Sequence, residues 1–297
     1  MSQTAQTTTF DMNKAASQNL PGWSQLAVIV VLIGLLYYRI LAALAADWWT
    51  DPNYSHGFIV PIFCGWVIWK ERTRIAGTPA KPSWSGLVVI LGALVLLVLG
   101  VLGAELYCSR TSLLFLLAGL AIQFRGWRFF RALLFPWAVL FLMVPLPAII
   151  FNQIALPLQF QASGLATGML QLVGVPVLRE GNVIQLPSLT LDVVEACSGL
   201  RSLVSLITLS VLYGYIFERR TWRRVVLILV AAPIAVVANG VRIMGSGILG
   251  QYWDADKAEG FFHLFTGWLI FVVSFGLMII LHSALSRMGR ETPARQA

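Results

Sequence analysis

Three residues in the last third of the chain can do chemistry that their neighbours cannot. Cys197 stands in Glu195-Ala196-Cys197-Ser198-Gly199-Leu200-Arg201, Arg242 in Asn239-Gly240-Val241-Arg242, and His263 in Phe261-Phe262-His263-Leu264-Phe265-Thr266-Gly267. A thiol attacks a carbonyl only as its thiolate, so it needs a depressed pKa near neutral pH. A helix N-terminus and nearby cations supply that, and Cys197 is expected to have both. Arg201 follows one turn later on the same helix face, close enough to lower the thiol pKa or to stand in for Arg242. His263 can give a proton to a leaving amine and take one from the incoming acceptor. Arg242 can hold the oxyanion of a tetrahedral intermediate, work worth about 2.7–4 kcal/mol per donor. Together they describe acyl transfer through a cysteine.

Each residue also has a plainer reading. A cysteine in an apolar helix is ordinarily a small filler, and Cys64 is read that way. Cys108 lies where it could pair with Cys197 in an oxidising compartment. An arginine within a membrane span is expensive and functional by default. The structural alternative for Arg242 is an ion pair with Glu195 or Asp254, and for His263 a hydrogen bond at the interface. His56 and Tyr54, in Tyr54-Ser55-His56-Gly57, are candidates for a competing base or for substrate contacts. Glu195 and Asn239 are supporting residues. The three cysteines make neither a disulfide framework nor a zinc spacing. With no CxxC, HExxH or P-loop in the chain, no metal and no cofactor is expected.

The elements that position these residues must be membrane helices. The 297 residues are 58% hydrophobic and 11% charged, where a soluble domain carries about 25% charged residues. Apolar runs long enough to cross a bilayer core recur along the chain. About eight spans are expected, at 25–46, 56–70, 86–104, 111–124, 131–147, 197–217, 224–248 and 262–285. The net charge of +8 does not point to nucleic acid, because the cations form short clusters between apolar runs. Lys14, Lys70 to Lys81, Arg125 to Arg131, Arg219 to Arg224 and Arg287 to Arg295 hold fifteen of the 21 basic residues. All fall on one side if both termini are cytoplasmic, the arrangement the positive-inside rule selects. Met1 to Pro21 is polar, and no cleavable signal peptide is expected. The expected organisation is a polar tail over 1–22, a single membrane domain over 23–286 and a basic tail over 287–297.

One segment breaks the pattern. Residues 148–178 are apolar but carry Pro157 and several amides and hydroxyls. As a span they would force the cluster from Glu218 to Arg224 outside, so they are read as a broken amphipathic helix in the outer interface. After it the period changes to two, with Leu189, Leu191 and Val193 alternating with Thr190, Asp192 and Val194. With a turn at Gly181-Asn182, this reads as a small β-hairpin on the outer face leading to Cys197. The fold class is an all-α polytopic membrane protein with that hairpin and interfacial helix. This topology puts Cys197, Arg242 and His263 at one membrane face, at the ends of consecutive helices.

The three runs resemble the signature motifs of the exosortase and archaeosortase family, over about residues 25–285. Tyr54-Ser55-His56-Gly57-Phe58-Ile59-Val60-Pro61, followed by Trp66 and Trp69-Lys70, is similar to the second-helix signature of that family. The resemblance implies a polytopic bacterial inner-membrane enzyme that processes C-terminal sorting signals of exported proteins. In the bacterial branch the signal is a Pro-Glu-Pro motif, then a transmembrane helix, then a basic cluster, and the genes often lie near those for exopolysaccharide. It further implies Cys197 as nucleophile, Arg242 as oxyanion or thiolate stabiliser and His263 as acid-base. A transporter or assembly factor for polysaccharide export is the competing reading, with Arg39 and Arg242 lining a path. That reading expects polar residues spread through the bilayer; the enzyme expects them gathered at one face.

Overall fold

A computed structural model describes residues 22–193, 199–252 and 261–288; for 261–264 and 288 it describes the backbone alone. The chain is almost entirely helical, and among the described residues six helices are long and apolar enough to cross a bilayer. The count becomes seven if one bent pair is a single span. Two of the eight expected spans account for the difference. Residues 59–70 form a helix of 12 residues, about 18 Å long and too short to cross alone. The expected span at 131–147 is part of the bent pair, Trp127–Met143 with Ala148–Leu172, which turns through 77°.

The chain divides into two compact units. The first holds the described residues up to Ala43, with Trp66–Ala138. Its elements are most of α1 (Trp23–Thr50), the end of α2 (Ile59–Lys70), α3 (Arg72–Ala76), α4 (Ser85–Leu102), α5 (Leu106–Arg125) and α6 (Trp127–Val139). Helices α4 and α5 form a close hairpin because glycines face each other across it. A Cβ at Gly86 would run into the Gln123 backbone, and one at Gly119 would lie 2.9 Å from Ile90 N. Lipid offers apolar helices no hydrophobic gain on meeting, so close backbone approach supplies the attraction. Tyr37 is buried in this unit among Ala93, Leu97, Leu113 and Leu116, its hydroxyl 2.9 Å from Ser112 Oγ.

The second unit, Leu44–Gly65 with the described residues from Val139 on, carries the chemistry. Helix α7 (Ala148–Leu172) runs unbroken through Pro157, so the break expected there falls instead between Met143 and Ala148. The expected hairpin is a three-stranded antiparallel sheet, β1 (Leu178–Glu180), β2 (Val183–Gln185) and β3 (Thr190–Asp192), in that order. Its first turn is at Gly181-Asn182, as expected, and Ile184 pairs with both Arg179 and Leu191. Arg179 fastens the sheet to α7, donating from Nε to Gly181 O at 2.7 Å and from Nη2 to Phe160 O at 2.9 Å.

Three further helices complete this unit: α8 (Leu200–Phe217), α9 (Thr221–Tyr252) and α10 (Phe261–Met288). Helix α9 is the centre, packed against α7, α8 and α10. At one end a buried network ties α8, α9 and α10 together. Glu218 Oε1 accepts from the backbone N–H groups of Arg219 and Arg220 at 2.7 and 2.8 Å. Its Oε2 lies 3.3 Å from both Arg223 Nη1 and His282 Nε2, and His282 Nδ1 is 2.9 Å from the Tyr213 hydroxyl. Burial pushes the Glu218 carboxyl up. The N–H of Arg220, the Arg223 guanidinium and the N–H of Arg219 outweigh that and hold it below the usual carboxylate range.

Candidate active site

At the opposite end of the same three helices, a cleft of about 310 Å³ opens within the second unit. Helix α8 contributes Arg201, Ser202 and Ser205, and α9 contributes Arg242. Gly267, Trp268 and Phe271 come from α10, and Pro52 and Ser55 from the segment after α1. The start of α8, the late part of α9 and the start of α10 therefore meet, so consecutive helices run in opposite directions, as short connections require. The Arg242 guanidinium lies along α10 where Gly267 leaves room, its Cζ and Nε each 3.7 Å from where a Cβ would stand.

The wall formed by residues 51–58 is held in place from behind. His56 is 9% exposed, and its Nε2 lies 3.1 Å from Leu142 O, so that nitrogen carries the proton. Trp48 Nε1 donates to Met143 O at 2.8 Å, and its indole occupies the space a side chain at Gly57 would need. Asn53 N–H donates to Asp51 Oδ1 at 2.8 Å in a local turn. Asn53 Oδ1 in turn accepts from Arg201 Nε at 3.3 Å.

Gly199 supplies the other fixed point. It caps the start of α8 in the left-handed region at φ +75°, and a Cβ there would lie 2.7 Å from Asn239 Cγ. Asn239 is 3% exposed and sits one helical turn before Arg242. Through Gly199 and Asn239, 40 positions apart in sequence, the run that contains Gly199 and the run from Asn239 to Arg242 are thus in contact.

Of the residues singled out from the sequence, Arg201 and Arg242 come together in the cleft, with Asn239 buried behind them. Cys197 and Glu195 lie outside the described residues, as does the side chain of His263. The backbone of His263 is in the first turn of α10, four residues before Gly267. His56 and Tyr54 do not line the cleft; His56 instead holds its wall through Leu142. Sequence reasoning missed Asn53, Ser55, Ser202, Ser205 and Trp268. Their residue types are ordinary at a membrane boundary, and the one available signal was that Asn53 directly precedes the Tyr54–Pro61 run.

Comparison with protein families decides what these runs are. Residues 48–280 match the family described as transmembrane exosortase. The chain is an exosortase. The match runs from Trp48, behind the cleft wall, to Ile280 in α10, and so contains every run quoted above. As an exosortase it is a multi-pass membrane protein of sorting-signal processing. Nothing matches among curated proteins or among solved structures.

Proposed function

We propose that this exosortase is a cysteine transpeptidase or protease that cleaves C-terminal sorting signals through a thioester acyl-enzyme. The observation that carries the reading is the contact between Gly199 and Asn239, which joins two signature runs beside a cleft lined by Arg242. Cys197 stands two residues ahead of Gly199 in the chain, and two residues span at most about 7 Å. His263 precedes Gly267 by four residues, so the two positions share a face of α10, and Gly267 packs on Arg242.

The thiolate of Cys197 attacks the scissile carbonyl carbon, forming the C–S bond and placing negative charge on the carbonyl oxygen. Arg242 holds that oxygen with two parallel donors. As the C–N bond breaks, His263 delivers a proton to the departing amine. The thioester is then attacked by water or by a nucleophilic acceptor, whose proton returns to His263 as the C–S bond breaks and the thiolate is restored. Water as acceptor makes the enzyme a protease; an amine or hydroxyl makes it a transpeptidase.

The substrates are exported proteins ending in a Pro-Glu-Pro-like motif, an apolar helix and a basic cluster. The enzyme lies in the bacterial inner membrane with both termini cytoplasmic and the cleft at the periplasmic face, the arrangement its basic clusters favour. A transport path is less well supported. Arg39 is exposed on α1. Between the cleft and the Glu218 network, Leu206, Ala231 and Ala235 pack with Phe271 and Phe275, and the buried hydroxyls of Thr208, Ser210 and Ser274 donate to carbonyls of their own helices. The direct test is mass spectrometry of a sorting substrate's new C-terminus, in cells with wild-type enzyme and with Cys197→Ala. A newly cut C-terminus in both strains would remove the thiol from the mechanism.

A further inference from the structure

The cleft holds two arginines, while a single oxyanion needs one. Arg201 is half-buried, and among the described residues its guanidinium makes one hydrogen bond, from Nε to the neutral amide oxygen of Asn53. A neutral partner orients the guanidinium without compensating its charge, and a charge drawn out of water calls for a counter-ion. With Nε taken, the remaining donors are on the two terminal nitrogens, a pair whose spacing fits the two oxygens of a carboxylate. Ser202 and Ser205 line the cleft on the same helix, and Trp268 lines it from α10. No carboxylate is among the described lining residues.

We propose that Arg201, steered by Asn53, is a carboxylate-binding subsite that anchors an acidic side chain of the peptide substrate close to the scissile bond. This deepens the cysteine reading and rests on it. The two arginines divide the work: Arg242 serves the reacting oxygen and Arg201 the substrate side chain. Asn53 is a positioning residue that sets the plane of the Arg201 fork. A peptide carboxylate fits better than a lipid phosphate, because one planar edge with two parallel donors matches a planar anion.

The test uses full-length enzyme in phosphatidylcholine nanodiscs. The reporter protein ends in a Pro-Glu-Pro segment, an apolar helix and a basic tail, and a second version carries Glu→Gln in that segment. Binding is read by fluorescence anisotropy on Cys197→Ala enzyme, and processing on wild type. The glutamate reporter should bind roughly tenfold or more tightly than the glutamine reporter, the size expected for a hydrogen-bonded charge pair. The same preference should appear in KM with little change in kcat. Arg201→Gln should erase the preference, and Arg242→Lys should keep it while processing fails.

If Arg201→Gln does not fold, Asn53→Asp decides the matter. It places a carboxylate on Arg201 and should weaken the glutamate reporter more than the glutamine one, whereas an equal effect on both would overturn the subsite. Equal binding of the two reporters to Cys197→Ala enzyme would also overturn it. So would an Arg201-dependent response to added phosphatidylglycerol in place of a glutamate preference, since the cleft would then hold a lipid headgroup. Processing by Cys197→Ala would sink the cysteine reading instead, and the glutamate preference would then be read from KM on that variant, where its loss would still overturn the subsite.

Discussion

Asn239 occupies the space that Gly199 leaves empty: a Cβ on Gly199 would stand 2.7 Å from Asn239 Cγ. This contact fixes the start of α8 against α9 one turn before Arg242. It makes Gly199 a costly position to substitute, for two separate reasons. The backbone is left-handed there, which costs a residue with a Cβ about 1–2 kcal/mol, and the neighbouring amide is buried.

Gly199→Ala should therefore lower processing by roughly tenfold or more, since either reason alone costs about a factor of ten. Membrane insertion should be intact, because the apolar helices are unchanged. The measurement is the ratio of full-length to cleaved substrate, normalised to enzyme abundance. Wild-type processing by Gly199→Ala would mean that this contact does not position the site.

The division of labour among the reacting groups gives a second set of outcomes. Cys197→Ala and Cys197→Ser should abolish processing while the protein stays folded in the membrane. His263→Ala should come close to that, because an amine leaves poorly without a proton. Arg242→Lys should fail as well, since a point charge cannot reproduce a planar fork, whereas Arg201→Lys should be milder. An active Arg242→Lys beside a dead Arg201→Lys would exchange the two roles.

Thiol reactivity checks the nucleophile without any substrate. Alkylation by a small polar reagent at pH 7 should be faster at Cys197 than at Cys64, which is 2% exposed. Cys108, a free thiol, is replaced beforehand so that it does not contribute. An apparent pKa of about 8.5 or above at Cys197 would be that of an ordinary thiol and would count against activation.

Topology is checked with reporter fusions. Those at Gly77 and Arg220 should report cytoplasm, and those near Asn182 and Asp256 periplasm. A cytoplasmic signal near Asn182 would put the sheet, and the run it feeds, at the wrong face for an exported substrate.

The network at the far end of the helices predicts a stability effect separate from activity. Glu218→Ala leaves the Arg223 guanidinium buried without its carboxylate, a loss of about 3 kcal/mol or more for a broken buried pair. It should appear as a lower unfolding temperature in detergent. Because the folded carboxyl titrates below its usual range, its contribution is complete above the unfolded value of about 4.3. It is lost as the pH falls through the lower folded value. Wild type should therefore lose stability on acidification below pH 4 more steeply than Glu218→Ala, and parallel curves would exclude the pair as the cause.

The sequence by itself determined the membrane fold and the identity of the signature runs. Both are local properties: apolar runs of bilayer length, cations clustered between them, and short motifs read residue by residue. Even the turn at Gly181-Asn182 was legible, because turn chemistry belongs to the residues that make it. The tertiary structure decided everything that depends on which surfaces meet. Helix α7 runs whole through Pro157, with the bend at residues 144–147, and the 56–70 run is an α-helix only over 59–70, too short to cross alone. His56, a plausible base by type, turned inward to Leu142 O, while the inconspicuous Asn53 reached Arg201. No periodicity encodes a contact across 148 positions, because the contact exists only once α8 has packed beside the segment after α1. Motifs name the reacting groups; packing chooses the partners that aim them.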